Sequence, residues 1–286
     1  MPEVSFLLVF TLLLVLAAEF VNGWTDAPNA IATVVSTRVL SPSQAVVMAA
    51  VLNIVGAIVT GTAVAATIGK GIVSPDAIGL PVVAAAMLTI IVWSTVAWRF
   101  GIPTSESHEL VAGLTGAGLA AAGPSVLLWE GWRKVIIGLG FSTLLGFTLS
   151  VILMFTLYWI LRRTRPATVS KYFSKLQIIS SAFMAFTHGS NDGQKFMGVF
   201  ALVLVLGGVT TQFSIPIWMM VLCGAVMGLG TATGGWRIIR TMGQRITRLE
   251  PVNGFAAETA ASTAILLAST KSQAMSSRKA GTPNRE

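Results

Sequence analysis

Charge is scarce in this chain: Asp, Glu, Lys and Arg make up 10% of its 286 residues, against 54% hydrophobic residues, where a soluble domain carries about 25% charge. That shortage excludes an ordinary soluble domain, because a core of this size cannot bury so much apolar surface and lipid has to cover the rest. Cysteine is nearly absent as well. Cys223 stands alone inside an apolar run, so it forms no internal disulfide and no cysteine metal site, and it reads as a small packing residue. Histidine occurs twice, without an HExxH pattern, which leaves no support for a zinc site. No activated nucleophile stands beside a base, so the chain is not expected to be an enzyme. A basic stripe is also missing. The net charge of +8 comes from Lys and Arg at the ends of apolar runs, where they act as topology signals rather than as a nucleic-acid surface.

What the chain has instead is long apolar runs. Residues 4–20, 45–68 and 135–161 each approach or exceed the roughly 20 residues that a helix needs to cross about 30 Å of hydrocarbon. Backbone groups in lipid must be satisfied within their own segment, so these runs are expected to be helices. The first run lacks a basic leader, carries Glu3 and passes into polar residues 22–29 without a small-residue cleavage site; it is expected to be a mature span and not a signal peptide. A hydrophilic stretch at 162–176, with Arg162, Arg163, Arg165, Lys171 and Lys175, is placed in the cytoplasm as a basic loop. A second cluster, Arg237, Arg240, Arg245 and Arg248, returns to the same side if residues 177–207 and 217–235 each cross once.

The two halves resemble each other weakly. Asp26 in Asn22-Gly23-Trp24-Thr25-Asp26 matches Asp192 in His188-Gly189-Ser190-Asn191-Asp192, Gly56-Ala57 matches Gly224-Ala225, and Gly61-Thr62-Ala63 matches Gly230-Thr231-Ala232. Thr67-Ile68-Gly69 meets Thr241-Met242-Gly243, which keeps all the matches in order at an offset of about 170 residues. Internal symmetry of this kind is a mark of transporter folds. Each half opens with an apolar segment of about 30 residues interrupted by a polar patch, the pattern of a broken helix. In the first half, residues 80–99, the Pro103-bearing stretch 101–108 and the small-residue segment 110–123 are read as a re-entrant hairpin. A re-entrant pair adds no crossing, so three crossings precede residue 162 and the second repeat is inverted.

The expected fold is therefore all-α: a polytopic membrane protein with inverted-topology repeats, broken helices and a re-entrant hairpin. Its first repeat covers 1–161, with the hairpin at about 80–123 and a connecting span at 135–161. The basic loop 162–176 follows, then an incomplete second repeat at 177–270 and a polar, disordered tail at 271–286.

Ionisable groups at membrane depth are expensive and usually line a cavity or an ion path. Asp26 and Asp192 are the outstanding cases, each among Gly, Asn, Thr or Ser, where carboxylate, amide and carbonyl oxygens suit a small hard cation such as sodium. A bland reading, polar clamps between helices, stands beside this one. The hairpin tip is the complementary site. If 110–123 starts a half-helix there, its free N–H groups and dipole favour an anion, and Ser105 and Ser107 add hydroxyl donors; alternatively the Ser residues serve only as an N-cap. Lys195 reaches either an acidic partner such as Asp192 or the anion. His108 and His188 fit a structural hydrogen-bonding role or a proton relay.

These residues carry a resemblance. Residues 22–30, Asn-Gly-Trp-Thr-Asp-Ala-Pro-Asn-Ala, and 186–195, Phe-Thr-His-Gly-Ser-Asn-Asp-Gly-Gln-Lys, look like the two signatures of the inorganic phosphate transporter (PiT) family, bacterial branch. Residues 101–108 are similar to its hairpin tip, and Gly234-Gly235-Trp236-Arg237 with the segment from Pro251 to Glu258 resembles its second-half loop and following helix. The resemblance implies import of inorganic phosphate by symport with sodium or protons, through an elevator-like or rocking alternation of inverted repeats. It implies phosphate binding at Thr104, Ser105, Glu106, Ser107 and Lys195, and a coupling cation held by Asp26, Asn29, Asn191 and Asp192. His108, His188 and Glu258 are assigned structural or proton-relay roles. No other cofactor is implied; the partners are phosphate, the cation and the lipid bilayer, with a homodimer left open, and the place is the inner (plasma) membrane.

Two departures stand out. Glu106 puts a carboxylate where the family tip offers Ser or Thr, and it opposes phosphate unless it is protonated or paired with a cation. After Thr270 the polar, basic stretch 271–286 replaces the expected second tip, which suggests a truncated frame. Sulfate or another oxyanion, and a truncated non-transporting membrane paralogue, are the competing readings.

Overall fold

The computed structural model describes residues 5–59, 65, 71–74, 78–233, 235–242 and 249–280; the side chains of Ala27, Asn29 and residues 268–280 are not described. The described residues form helices α1 (Phe6–Ser36), α2 (Pro42–Val59), α3 (Leu80–Phe100), α4 (Glu106–Ala122), α5 (Trp129–Leu161), α6 (Pro166–Leu206), α7 (Ile217–Thr233), the short α8 (Trp236–Arg240) and α9 (Pro251–Ala280). By length and composition α1, α2, α3 and α5 suffice to cross a membrane, and α7 is a shorter apolar helix. The fold is all-α, as expected.

Local chemistry explains several helix ends. Ser5 caps α1 by accepting the Leu8 N–H at 3.2 Å. Helix α3 stops at Gly101, whose φ of 69° lets its N–H and that of Ile102 turn back onto the Trp98 and Ala97 carbonyls at 2.9 Å. Pro103 then keeps the helix from resuming, and α4 starts two residues after Thr104. The two helices pack against each other, so α3 and α4 form a helical hairpin around Pro103.

Two expectations about helix continuity fail. The polar patches do not break α1 or α6, which run without interruption through Asn22–Gly23 and through His188–Gly189. In a low-dielectric bundle the helix is the cheapest way to pair backbone N–H and C=O groups, and this outweighs the poor propensity of Gly, Asn and Thr. Pro28 sits inside α1 and withholds one hydrogen bond from the Trp24 carbonyl. The basic stretch 162–176 is not a loop either. Only Arg162–Arg165 lie outside helix, and α6 begins at Pro166, a residue favoured in a helix's first turn. In the same way the polar stretch beyond Thr270 continues α9 as far as Ala280; residues 281–286 lie outside the description.

The centre of the molecule is made by α1, α2, α6 and α7: α2 packs on α6, α1 on α7, and α1 and α2 also meet α6 and α7 respectively. Helix α3 packs on α1, and α9 packs on α6. Glycines permit the closest crossings. A Cβ on Gly23 would lie 2.9 Å from the Thr231 nitrogen, and one on Gly56 would lie 2.8 Å from the Ser190 nitrogen. The matched motifs Gly56-Ala57 and Gly224-Ala225 touch, with a Gly224 Cβ 3.7 Å from the Ala57 Cβ. Gly61-Thr62-Ala63 and Thr67-Ile68-Gly69 lie outside the described residues. Helix α5 stands at the periphery, leaving Ile137, Leu144, Phe147 and Phe155 exposed.

Candidate functional site

Helices α1 and α6 cross where their acidic residues face each other. On α6, His188 and Asp192 are four residues apart and so share a face. His188 Nε2 lies 3.2 Å from an Asp192 oxygen and 3.4 Å from an Asp26 oxygen across the crossing. The three side chains are buried, and one ligand atom from each lies within 4.8 Å of the others. Lys195, on the next turn, brings Nζ to 2.6 Å from the second Asp192 oxygen, and the Asn191 amide donates to that oxygen at 3.0 Å.

A line of amides fixes the imidazole. His188 Nδ1 is 3.3 Å from the side-chain oxygen Oδ1 of Asn53 on α2, and the Asn53 side-chain amide nitrogen donates to the Thr231 hydroxyl of α7 at 3.3 Å. With Nδ1–H directed at Asn53, Nε2 is the atom that faces the two carboxylates. A bare lone pair there would repel both, so the geometry suits a proton in the gap, and the three ligand atoms lie close enough to share a cation in its place. Among metals, two carboxylates suit hard cations and the imidazole adds a borderline ligand. Two buried carboxylates with no positive partner would each cost several kcal/mol, and His188 and Lys195 remove that cost.

The hairpin tip adjoins this centre. Thr25, next to Asp26, bonds through its hydroxyl to the Glu106 carboxylate in the first turn of α4, and Glu106 is fully buried. Ser94 of α3 bonds in the same manner to Glu109. Ser105 occupies the N-cap position, yet its hydroxyl makes no cap bond, so the bland N-cap reading fails for its side chain. The buried Glu106 Oε2 finds no hydrogen-bond partner among the described residues, and the Thr104 hydroxyl lies beside the Glu109 carboxylate. The first turn of α4 already carries two carboxylates, which offset the positive end of its dipole.

The structure thus brings together Asp26, Asn191, Asp192, His188 and Lys195, with Glu106 one residue away through Thr25. Ser105 and Ser107 are half-buried at the tip, His108 is exposed, and the Asn29 side chain lies outside the description. Of the two options for Lys195, it takes the acidic partner. Glu258 forms a second buried centre: Thr33 of α1 and Ser180 of α6 donate to its two oxygens, and the Gln177 amide stands 3.5 Å away. Sequence reasoning missed those three partners and Asn53. They are ordinary polar residues 78, 81, 135 or 225 positions from the group they serve, so no local pattern marks them. It also missed Glu19, which an ionisable residue inside an apolar run should have signalled.

Arg237 closes the outer side of the hairpin. Its guanidinium lies 4.9 Å from the Trp98 ring centroid and donates to the Arg99 carbonyl at 2.6 Å, while Trp98 meets Trp24 in a tilted contact with ring centroids 5.4 Å apart. Arg237→Lys, which keeps the charge but loses the flat fork, is expected to lower thermal stability in detergent by about 1 kcal/mol, a shift of a few degrees at most.

Comparison with known proteins places the chain among relatives. The family described as "Phosphate transporter family" matches residues 22–280. The "Probable low-affinity inorganic phosphate transporter" of Rhizobium meliloti (strain 1021) is 43% identical over 254 residues, spanning 88% of this chain and 76% of that protein. Its namesake in Bacillus subtilis (strain 168) is 42% identical over 258 residues, with 88% and 77% covered. A solved structure described as "The sodium-dependent phosphate transporter" superposes with a TM-score of 0.83 at 24% identity, over 94% of this chain and 85% of its own, a likeness of fold.

Proposed function

The chain belongs to the phosphate transporter family, and we propose that it carries inorganic phosphate across a membrane in symport with a cation, sodium or a proton. The observation that carries this reading is the buried meeting of Asp26 with His188 and Asp192 beside the α3–α4 tip. A group of ionised side chains at that depth has to be filled and emptied to be useful, and a coupling cation does both.

In this reading Asp26, Asn29, Asn191 and Asp192 take the cation, and Thr104, Ser105, Glu106, Ser107 and Lys195 take phosphate. The orphaned Glu106 oxygen supports a ligand or a proton at the tip. Two carboxylates there oppose a dianion, so phosphate binds when Glu106 is protonated or a cation lies between them. Lys195 leaves Asp192 for phosphate once the cation replaces its charge. The packing of α1 on α7 and α6 on α2, with matched motifs in contact, supports inverted repeats that rock around this point. The α3–α4 hairpin is re-entrant in this scheme, and both basic clusters face the cytoplasm of a cell whose plasma membrane holds the protein.

Labelled phosphate uptake into proteoliposomes, under sodium and proton gradients imposed separately, tests the reading. Uptake is expected under at least one gradient, with Ser105→Ala/Ser107→Ala raising KM about tenfold, the effect of about 1.4 kcal/mol in lost hydroxyl contacts. Absence of gradient-driven uptake, with phosphate still bound, would identify a non-transporting paralogue; stronger competition by sulfate than by phosphate would reassign the substrate.

A further inference from the structure

We propose that Glu19 is a proton-carrying carboxylate, distinct from the Asp26–His188–Asp192 centre, and that Asn22 is the amide that follows its proton. Both residues are fully buried on one face of α1, three positions apart. Their single mutual contact is the Asn22 amide donating to Glu19 Oε2 at 3.1 Å. The other two acceptors, Glu19 Oε1 and Asn22 Oδ1, are buried and have no hydrogen-bond partner among the described residues.

The charged groups whose fields reach Glu19 are Lys195, Asp192 and His188 of α6, and its own field reaches the Cys223 thiol of α7. None of them forms an ion pair with it among the described residues. An ionised carboxylate with one amide donor and one bare oxygen is strongly disfavoured when buried in this way. A hard metal ion does not relieve it, since such ions gather about six or more oxygens and two are free here. A proton needs only one.

Proton uptake on Oε2 turns that oxygen from an acceptor into a donor. The Asn22 amide then turns end for end, which exchanges its nitrogen and oxygen without moving the chain, and Oδ1 accepts the new O–H. The amide oxygen gains a partner by that step, and the amide nitrogen gives up its own bond to the carboxylate. Release reverses it: the proton leaves Oε2 and the amide nitrogen returns. One proton enters, one proton leaves, and no other group changes. Glu19 precedes Asp26 by seven positions on a continuous helix, about 10 Å at 1.5 Å per residue. Its charge therefore reaches Lys195 and His188, and a proton there alters how firmly the centre holds a cation.

What the proton accomplishes depends on the transport reading; the proton site does not. Two measurements separate them. In proteoliposomes, a pH-sensitive dye and labelled phosphate give the protons moved per phosphate, a ratio unaffected by turnover rate. Wild-type protein is expected to exceed Glu19→Gln by one proton per phosphate, and an unchanged ratio overturns the proposal. Infrared difference spectra of the purified full chain between acid and alkaline buffer provide the second measurement, which needs no transport. The wild type is expected to show a carboxylic-acid carbonyl band that Glu19→Gln lacks, accompanied by an amide side-chain band that disappears in Asn22→Leu. Identical carbonyl bands in wild type and Glu19→Gln overturn the proton site even where no phosphate moves. If wild-type protein takes up no phosphate but the band difference is present, the transport reading fails and the proton site stands.

Discussion

Asp192→Asn is expected to lose both gradient-driven phosphate uptake and thermal stability, and Asp192→Asn/Lys195→Met to regain only the stability. The two losses have separate causes. Asp192 neutralises Lys195, whose Nζ is 2.6 Å away and buried with it. Removing one partner of a buried pair leaves the other charge uncompensated, at about 3–5 kcal/mol. Replacing Lys195 by an apolar chain of similar length removes that stranded charge, so the double variant should recover most of the melting temperature. Uptake has no such remedy. The carboxylate is one of two that face Nε2 of His188, and a neutral amide in its place takes a full charge from the proposed cation site. Loss of about 3–4 kcal/mol of cation binding corresponds to a fall on the order of 100- to 1000-fold in coupled uptake. Asp26→Asn is expected to show the uptake loss with a smaller effect on stability, because Lys195 keeps its partner. Paired measurements of detergent melting and sodium- or proton-driven uptake check this. Uptake near wild type in Asp192→Asn/Lys195→Met would remove Asp192 from the cation site.

This pair shows what a single sequence conveys well. The repeat logic marked Asp26 and Asp192 as partners although 166 positions separate them, and the structure brings both to His188. An internal match constrains three-dimensional space because related segments pack about a common point, and ionisable residues in apolar runs must then find each other. The hairpin was legible for a related reason: Gly101 and Pro103 are strong punctuation, and the helices end and begin around them.

Other features were read incorrectly or not at all. Glycine, asparagine and threonine around Asp26 and Asp192 suggested unwound backbone, but propensities measured in water count for little where helix formation is the only way to pair the backbone. The basic stretch before residue 177 reads as a loop by its charge, yet charge does not oppose a helix: Lys171 and Lys175 are good helix formers and Pro166 fits a first turn. Pairings such as Thr25 with Glu106 and Thr33 with Glu258 depend on how helices lie against one another, which no local pattern encodes. Glu106 itself drew attention as a departure from the family tip; its bond to Thr25 makes it the link between that tip and the signature aspartate.

Crossing geometry also predicts which glycines the fold requires. Gly189→Ala and Gly230→Ala are expected to be strongly destabilising, whereas Gly140→Ala should be neutral or slightly favourable. A Cβ on Gly189 would come within 2.6 Å of the Asn53 carbonyl carbon, and one on Gly230 within 3.0 Å of the Phe20 carbonyl carbon. Both obstacles are backbone, so no side-chain rotation makes room and the helices have to separate. Overpacking of this kind costs about 1–3 kcal/mol and occasionally more, and backbone obstruction places these sites at the upper end. A Cβ on Gly140 of α5 meets nothing within 4 Å, and Ala in place of Gly inside a helix is worth up to about 1 kcal/mol. The consequence reaches function through Asn53. Pushing α2 away from α6 at Gly189 draws Asn53 from Nδ1 of the neighbouring His188, and the imidazole loses the contact that aims Nε2 between Asp26 and Asp192. Gly189→Ala protein that survives purification is therefore expected to bind the coupling cation weakly, beyond its loss of stability. Gly230→Ala disturbs the α1–α7 crossing and should affect stability first. Melting temperatures for the three variants, with cation-dependent shifts in each, would show whether tight crossings position the site or only hold the bundle together.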